Sequence, residues 1–280
     1  HNFMLSSANS INWGRLAPQI VYYFSAYADL VQAQEVKSGE KINIVVPTGN
    51  FGNILAAYYA KKMGLPVNKL ICASNSNNVL TDFIQTGVYD RNRKFNLTIS
   101  PSMDILISSN LERLVYMIAG QDAEKNSELM AALKSKGVYE LSEDMKANLA
   151  DFAAGFATEA EVKQTIEAIY KATGYVIDTH TAVAQNVYYK YLNETSDDTK
   201  TVIASTASPF KFSRSVISAI NNDDNYGAAA DEFAILDELS RVANEQIPKS
   251  LAELKTKEVI YDVVCNKDEL LNVVKEFLRF

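Results

Sequence analysis

Gly49-Asn50-Phe51-Gly52-Asn53 stands between the apolar run Ile42 to Pro47 and the helix-like stretch Ile54 to Met63. Two glycines in five residues let the backbone turn tightly and approach a ligand without a Cβ in the way. A helix opening just beyond the second glycine directs free N–H groups and a positive dipole end at an anion. The residues therefore read as a phosphate cradle at a strand–loop–helix junction. The same residues also suit an ordinary βα turn, because Asn and Gly are turn formers. A P-loop and a Gly-x-Gly-x-x-Gly fingerprint are both absent, which disfavours ATP, GTP and dinucleotides.

Two further places carry chemistry-bearing side chains. Asn9, Ser10 and Arg15 surround the start of a first helix, where amide, hydroxyl and guanidinium groups can receive an anion. Arg15 also fits a plain surface position. Thr206 follows an apolar strand-like run, and its hydroxyl can donate to or accept from a ring nitrogen, or simply serve a turn. Histidine chemistry is limited, since His180 is the only one besides His1. No multi-histidine zinc site can be built from that inventory, so no metal is expected. Gly-x-Ser-x-Gly is missing as well, which argues against an α/β-hydrolase triad.

The elements that must position these groups follow from periodicity. Leu16, Ile20, Tyr23, Tyr27 and Leu30 recur at helical spacing. A strand at 42–46, the loop, a helix to Met63 and a second strand at Leu70 to Ala73 form a β-α-β unit, hence a parallel sheet. The spacing further predicts a helix through Leu80 to Ile84, a short strand at Phe95 to Ile99, and a helix from Ile105 to Ile118. Helices follow at about 124–136, 141–151 and 159–171, then a helix carrying Val183, Val187 and Tyr191 inward, and a strand from Lys200 to Thr206. After the polar link Asn221 to Gly227, two helices flank a strand at Val259 to Val264. Residues 1–225 thus read as an α/β region with a helical insertion near 122–165, and 226–280 as a small C-terminal α/β subdomain. Ligands in open parallel sheets bind at the carboxyl ends of strands, where the loop and Thr206 both fall.

Composition bounds the partners. The 280 residues are 48% hydrophobic and 22% charged, enough for a sizeable core, and the net charge of −7 argues against general nucleic-acid binding. The longest apolar windows fall far short of the roughly 20 residues that span a bilayer. Cys72 and Cys265 are far apart in sequence, which favours free thiols and a cytoplasmic setting over a disulfide framework. The chain opens His1-Asn2-Phe3-Met4 without an initiator Met, so a trimmed or partial polypeptide is expected.

Five segments together resemble threonine synthase, a pyridoxal-phosphate enzyme of fold type II. They are Ser7 to Arg15 (Ser-Ala-Asn-Ser-Ile-Asn-Trp-Gly-Arg), Pro47 to Asn53, Ser100 to Ile105, Asp178 to Ala182, and Ser205 to Phe212. The resemblance implies a parallel sheet flanked by helices, like the tryptophan synthase β fold and incomplete at the N-terminus. It implies that Gly49, Asn50, Phe51, Gly52 and Asn53 hold the phosphate of pyridoxal 5'-phosphate and that Thr206 meets its pyridine nitrogen. Asn9, Ser10 and Arg15 would receive the phosphate of O-phospho-L-homoserine, which the family converts with water to L-threonine and phosphate. Two separate phosphate sites follow.

The chain departs from the family pattern in three places. Thr179 stands where the family commonly has Pro, and Ser208 where it commonly has His. Graver, the family's Schiff-base lysine sits in a Phe-Lys-Asp context ahead of the first segment, and nothing like it occurs here. Lys211 belongs to the late segment and is not assigned that role. The resemblance therefore covers the C-terminal two-thirds of the enzyme, with no catalytic residue of its own. This fragment is expected to be inactive and empty of cofactor when alone. An unphosphorylated hydroxyamino-acid dehydratase and a non-catalytic anion-binding relative are the alternative readings; the former has no need of a second phosphate site around Ser10 and Arg15.

Overall fold

The structure, a computed structural model, describes residues 9–226, 229–260 and 262–279. Its centre is a parallel sheet of β1 (Ile42–Pro47), β2 (Val67–Ser74), β5 (Phe152–Phe156) and β6 (Thr201–Ile203), ordered β5-β2-β1-β6. All six residues of β1 are buried, as a strand covered on both faces requires. Its side chains alternate between two cores. Ile44 and Val46, with Leu70 and Cys72 of β2, face α1 (Trp13–Gln32), α2 (Gly52–Lys62), α3 (Val79–Thr86), α4 (Leu111–Ile118) and α5 (Ala123–Lys136). Val45, with Ile71 and Ala73, faces α7 (Glu159–Thr173), α8 (Thr179–Thr195), α9 (Ser213–Asn221) and α10 (Glu232–Ala243). Register pairs Val45 with both Ile71 and Ile203, so the carboxyl ends of β1, β2 and β6 lie side by side.

Five helices, α1, α5, α7, α8 and α10, start where a capping side chain accepts from one of the first free N–H groups. Thr158 and Glu161 form a reciprocal capping box at α7, and Asp178 accepts from the amides of His180 and Thr181 at α8. The short α6 (Glu143–Ala147) and an antiparallel pair, β3 (Val88–Asp90) with β4 (Val138–Glu140), complete this part of the fold. Two short pieces follow α10: α11 (Lys249–Ala252) and α12 (Leu270–Phe277), which buries no residue.

Four local expectations differ from what forms. Phe95 to Ile99 is a loop, not a strand, because the amide and hydroxyl of Thr98 both bond the Asp104 carboxylate, at 3.0 and 2.7 Å. The helix expected from Ile105 begins only at Leu111, since Ser108 and Asn110 turn toward the 49–53 loop instead. Phe152 to Phe156 lies in the stretch read as a helical insertion, yet it is an edge strand of the main sheet. The described residues of Val259 to Val264 form no strand, and Val264 is 94% exposed.

Candidate functional site

The loop between β1 and α2 is set by its carbonyls. Ser108 Oγ donates to the Gly49 carbonyl at 2.8 Å, and the Asn50 carbonyl accepts from Asn110 N at 3.1 Å and Asn110 Nδ2 at 2.9 Å. Phe51 then takes the left-handed conformation, φ 62°, with its ring 1% exposed against the core. Such backbone is costly for a bulky residue and persists only where packing fixes it. Here the Phe51 ring packs 6.0 Å from that of Phe152.

With the carbonyls turned away, the backbone N–H groups of Gly49, Asn50, Phe51, Gly52 and Asn53 have no protein acceptor among the described residues. They open the 11-residue helix α2, so the free amides and the helix dipole act together. This arrangement fits a phosphate group. Only one of the two glycines is fixed by sterics: a Cβ on Gly49 would collide with the backbone oxygen of Ser102, whereas one on Gly52 meets Asn110 Nδ2 at 3.4 Å, an ordinary contact.

Beside the loop lies a cleft of about 740 Å³ lined by Arg15, Gln19 and Tyr22 of α1, Asn53, and Ser205 and Thr206 after β6. Three residues singled out in the sequence, Arg15, Asn53 and Thr206, therefore share one cleft. Asn9 and Ser10 do not line it. Ser10 instead joins the supports of the loop: its carbonyl accepts from Asn110 Nδ2 at 3.0 Å, and its hydroxyl pairs with Ser109 Oγ at 3.2 Å, which reaches Asn50 Oδ1 at 3.3 Å. Asn53 is held by the phenol of Tyr23, which donates to its side-chain carbonyl from the α1 side. No lysine lines the cleft among the described residues, and Lys211 Nζ lies over the ring of Phe212. The described residues also contain no group of three His, Cys, Asp or Glu side chains able to hold a metal ion. Nor is any described helix long and apolar enough to cross a membrane.

The supports were not assigned from the sequence. Ser108-Ser109-Asn110 fall inside the helix expected from Ile105 to Ile118, although three small polar residues interrupting an apolar run are a turn signal. Tyr23 shows in the sequence only as part of the helical spacing of α1, and it is also a core residue at 4% exposure. The Asp178-Thr179-His180-Thr181 segment is buried throughout. Burial would raise the Asp178 carboxyl, but hydrogen bonds from His180 and Thr181 outweigh it and hold it below the usual carboxylate range. Burial pushes the Cys72 thiol up to about 12 against the opposing hydrogen bond with Thr48, as expected of a fully buried core cysteine.

Comparison with known proteins points one way. The family described as "Threonine synthase, C-terminal" matches residues 181–278. Human threonine synthase-like 1 is 42% identical over 279 residues, covering 99% of this chain and 37% of the human protein. Threonine synthase of Saccharomyces cerevisiae is 37% identical over 246 residues, 82% of this chain and 47% of the yeast protein. The pyridoxal-phosphate-bound threonine synthase from Brucella melitensis superposes with a TM-score of 0.80 at 36% identity, over 98% of this chain and 52% of that one. The chain thus spans about half the length of these relatives, or less.

Proposed function

Because this chain belongs to the threonine synthase family of fold type II pyridoxal-phosphate enzymes, we propose that it forms the phosphate-anchoring side of a threonine synthase site. The proposed reaction converts O-phospho-L-homoserine and water to L-threonine and phosphate. One observation carries the reading: five consecutive backbone N–H groups at the start of α2 lack protein acceptors among the described residues, and their loop is pinned from behind by Ser108 and Asn110.

In this reading the amides of Gly49 to Asn53 receive the phosphate of pyridoxal 5'-phosphate, as a helix N-terminus suits a dianion. Bound there, that group supplies an electron sink that eases removal of a proton from the substrate carbon bearing the amino group. The Thr206 hydroxyl meets the ring nitrogen as an uncharged partner, which leaves that nitrogen largely unprotonated. Arg15, across the cleft, pairs with the phosphate of the substrate through its planar guanidinium. Asn9 and Ser10, which stand outside the cleft, orient the start of α1 for that contact. Release of the substrate phosphate from Cγ and addition of water at Cβ both require a proton carrier in the cleft. No described residue lining it is a lysine, so we infer that the isolated chain forms no threonine.

The Arg15 position favours a phosphorylated substrate over the hydroxyamino acid of a dehydratase. The test is a pair of titrations with pyridoxal 5'-phosphate and with pyridoxal. The phosphate ester is expected to bind and pyridoxal to bind at least tenfold more weakly; equal binding would remove the assignment of the loop.

A further inference from the structure

We infer that Asp178, His180 and Thr181 form a positioning brace that fixes the Gly49–Asn53 loop relative to Ser205 and Thr206, so that the two walls of the cleft keep one spacing. The inference rests on the phosphate-loop reading and assigns a role to the Asp-Thr-His-Thr segment. Its starting point is the close approach behind the loop. Gly49 packs directly on the Ser102–Met103 backbone, too close for a side chain. Any movement of that turn is therefore passed to Gly49.

The turn is itself tethered. The Ser102 N–H donates to His180 Nε2 at 3.2 Å. Nε2 is thus an acceptor, which places the ring proton on Nδ1, facing Asp178 Oδ1 at 3.2 Å. The ring is 2% exposed and lies 4.7 Å, centroid to centroid, from the ring of Phe212, at 49°. It has little room to rotate.

The same carboxylate reaches the opposite wall. Asp178 Oδ1 accepts from the amides of His180 at 2.8 Å and Thr181 at 3.3 Å, and Oδ2 takes the Thr181 hydroxyl in a short bond. Thr181 Oγ1 in turn pairs with Ser205 Oγ at 3.1 Å, and Ser205 lines the cleft next to Thr206. One side-chain network therefore connects the back of the phosphate loop to the segment carrying the proposed ring-nitrogen partner. Buried networks with every member satisfied specify a single arrangement, and the loss of one acceptor leaves its donors unpaired.

The brace does not touch ligand, so its test compares side chains that keep or lose the acceptor at Nε2. A glutamine at 180 can place its carbonyl oxygen where Nε2 lies, whereas phenylalanine offers no acceptor and asparagine is too short to reach Ser102. Two readouts are taken on the full chain: affinity for inorganic phosphate, and hydrogen exchange of the Asn110 amide, which bonds the Asn50 carbonyl of the loop. His180→Phe is expected to weaken phosphate about tenfold and to speed Asn110 exchange about tenfold, the scale of one buried hydrogen bond lost. His180→Gln is expected to restore both to within about twofold, a rescue that loss of packing alone does not predict. His180→Asn serves in place of phenylalanine if the latter does not fold. Equal behaviour of the acceptor-free and glutamine variants in the exchange measurement overturns the brace. Failure of the unmodified chain to bind phosphate instead removes the loop reading, while the exchange comparison still decides the brace.

Discussion

The hydroxyl of Tyr23 donates to the side-chain carbonyl of Asn53, joining the middle of α1 to the last residue of the Gly49–Asn53 loop. Tyr23 is 4% exposed, and Asn53 lines the cleft that also holds Arg15 and Thr206. This hydrogen bond therefore ties the helix that carries Arg15 to the loop proposed to carry the cofactor phosphate. Tyr23→Phe keeps the ring and removes the bond. It is expected to lower stability by about 1 kcal/mol in denaturant unfolding and to weaken phosphate binding several-fold. Unchanged values for both would show the contact to be incidental.

Burial raises the phenols of Tyr23 and Tyr89, the latter to about 12. A raised folded pKa means that the folded chain keeps protons the unfolded chain has lost. The linked stability is full below the unfolded value near 10 and is lost as pH rises toward and through 12. Unfolding free energy is expected to fall steeply above pH 10, and Tyr23→Phe to flatten that fall. An unaltered alkaline slope in the variant would contradict it.

At the acid end the sign reverses. Asp178 and Asp197 are both held low: burial would raise each, but hydrogen bonds outweigh it, from His180 and Thr181 in the first case, and from Thr199, Tyr191 and Asn43 in the second. Each contributes stability that is present above the unfolded carboxylate value near 4 and is lost as pH falls through the lower folded value. Thr181→Val removes one of the bonds at Asp178 and is expected to shrink the acid-side loss between pH 4 and lower values. An identical acid limb would count against this.

Gly49→Ala tests the close approach of the Ser102 backbone. The added methyl group meets a backbone oxygen that cannot rotate away, so a loss of about 1 to 3 kcal/mol is expected, as for overpacked cores. Gly52→Ala, where the added atom makes only ordinary contact, is expected to be neutral or slightly stabilising at the helix start. Equal effects at the two glycines would contradict the asymmetry.

The parts of this fold that show in the sequence are those whose residues decide locally. Ile42 to Pro47 is an unbroken apolar run ended by Gly49, and it forms the fully buried β1 followed by the loop. The α3 and α8 starts likewise follow from polar residues set before apolar periodic ones. Phe152 to Phe156 does not announce itself, because Phe-Ala-Ala-Gly-Phe has no β-branched residue and becomes a strand only through pairing with Leu70 to Ser74. Thr98 and Ile99 carry strand-like side chains, yet Asp104 captures the Thr98 groups that a sheet would need. For the site, the glycines and Thr206 are legible as types, whereas Tyr23, Ser108, Asn110 and His180 act through contacts 30 to 78 residues away in sequence. No spacing rule reaches that far.

The most direct measurement of the central claim is a ³¹P NMR titration of inorganic phosphate into the chain and into Gly52→Asp. An aspartate at that position suits a helix N-terminus, so the fold and the melting temperature are expected to hold, while its negative charge beside the free amides opposes a bound anion. The account predicts saturable phosphate binding by the unmodified chain and a loss of more than tenfold in the variant. Phosphate binding of equal strength in both, with both folded, would contradict it.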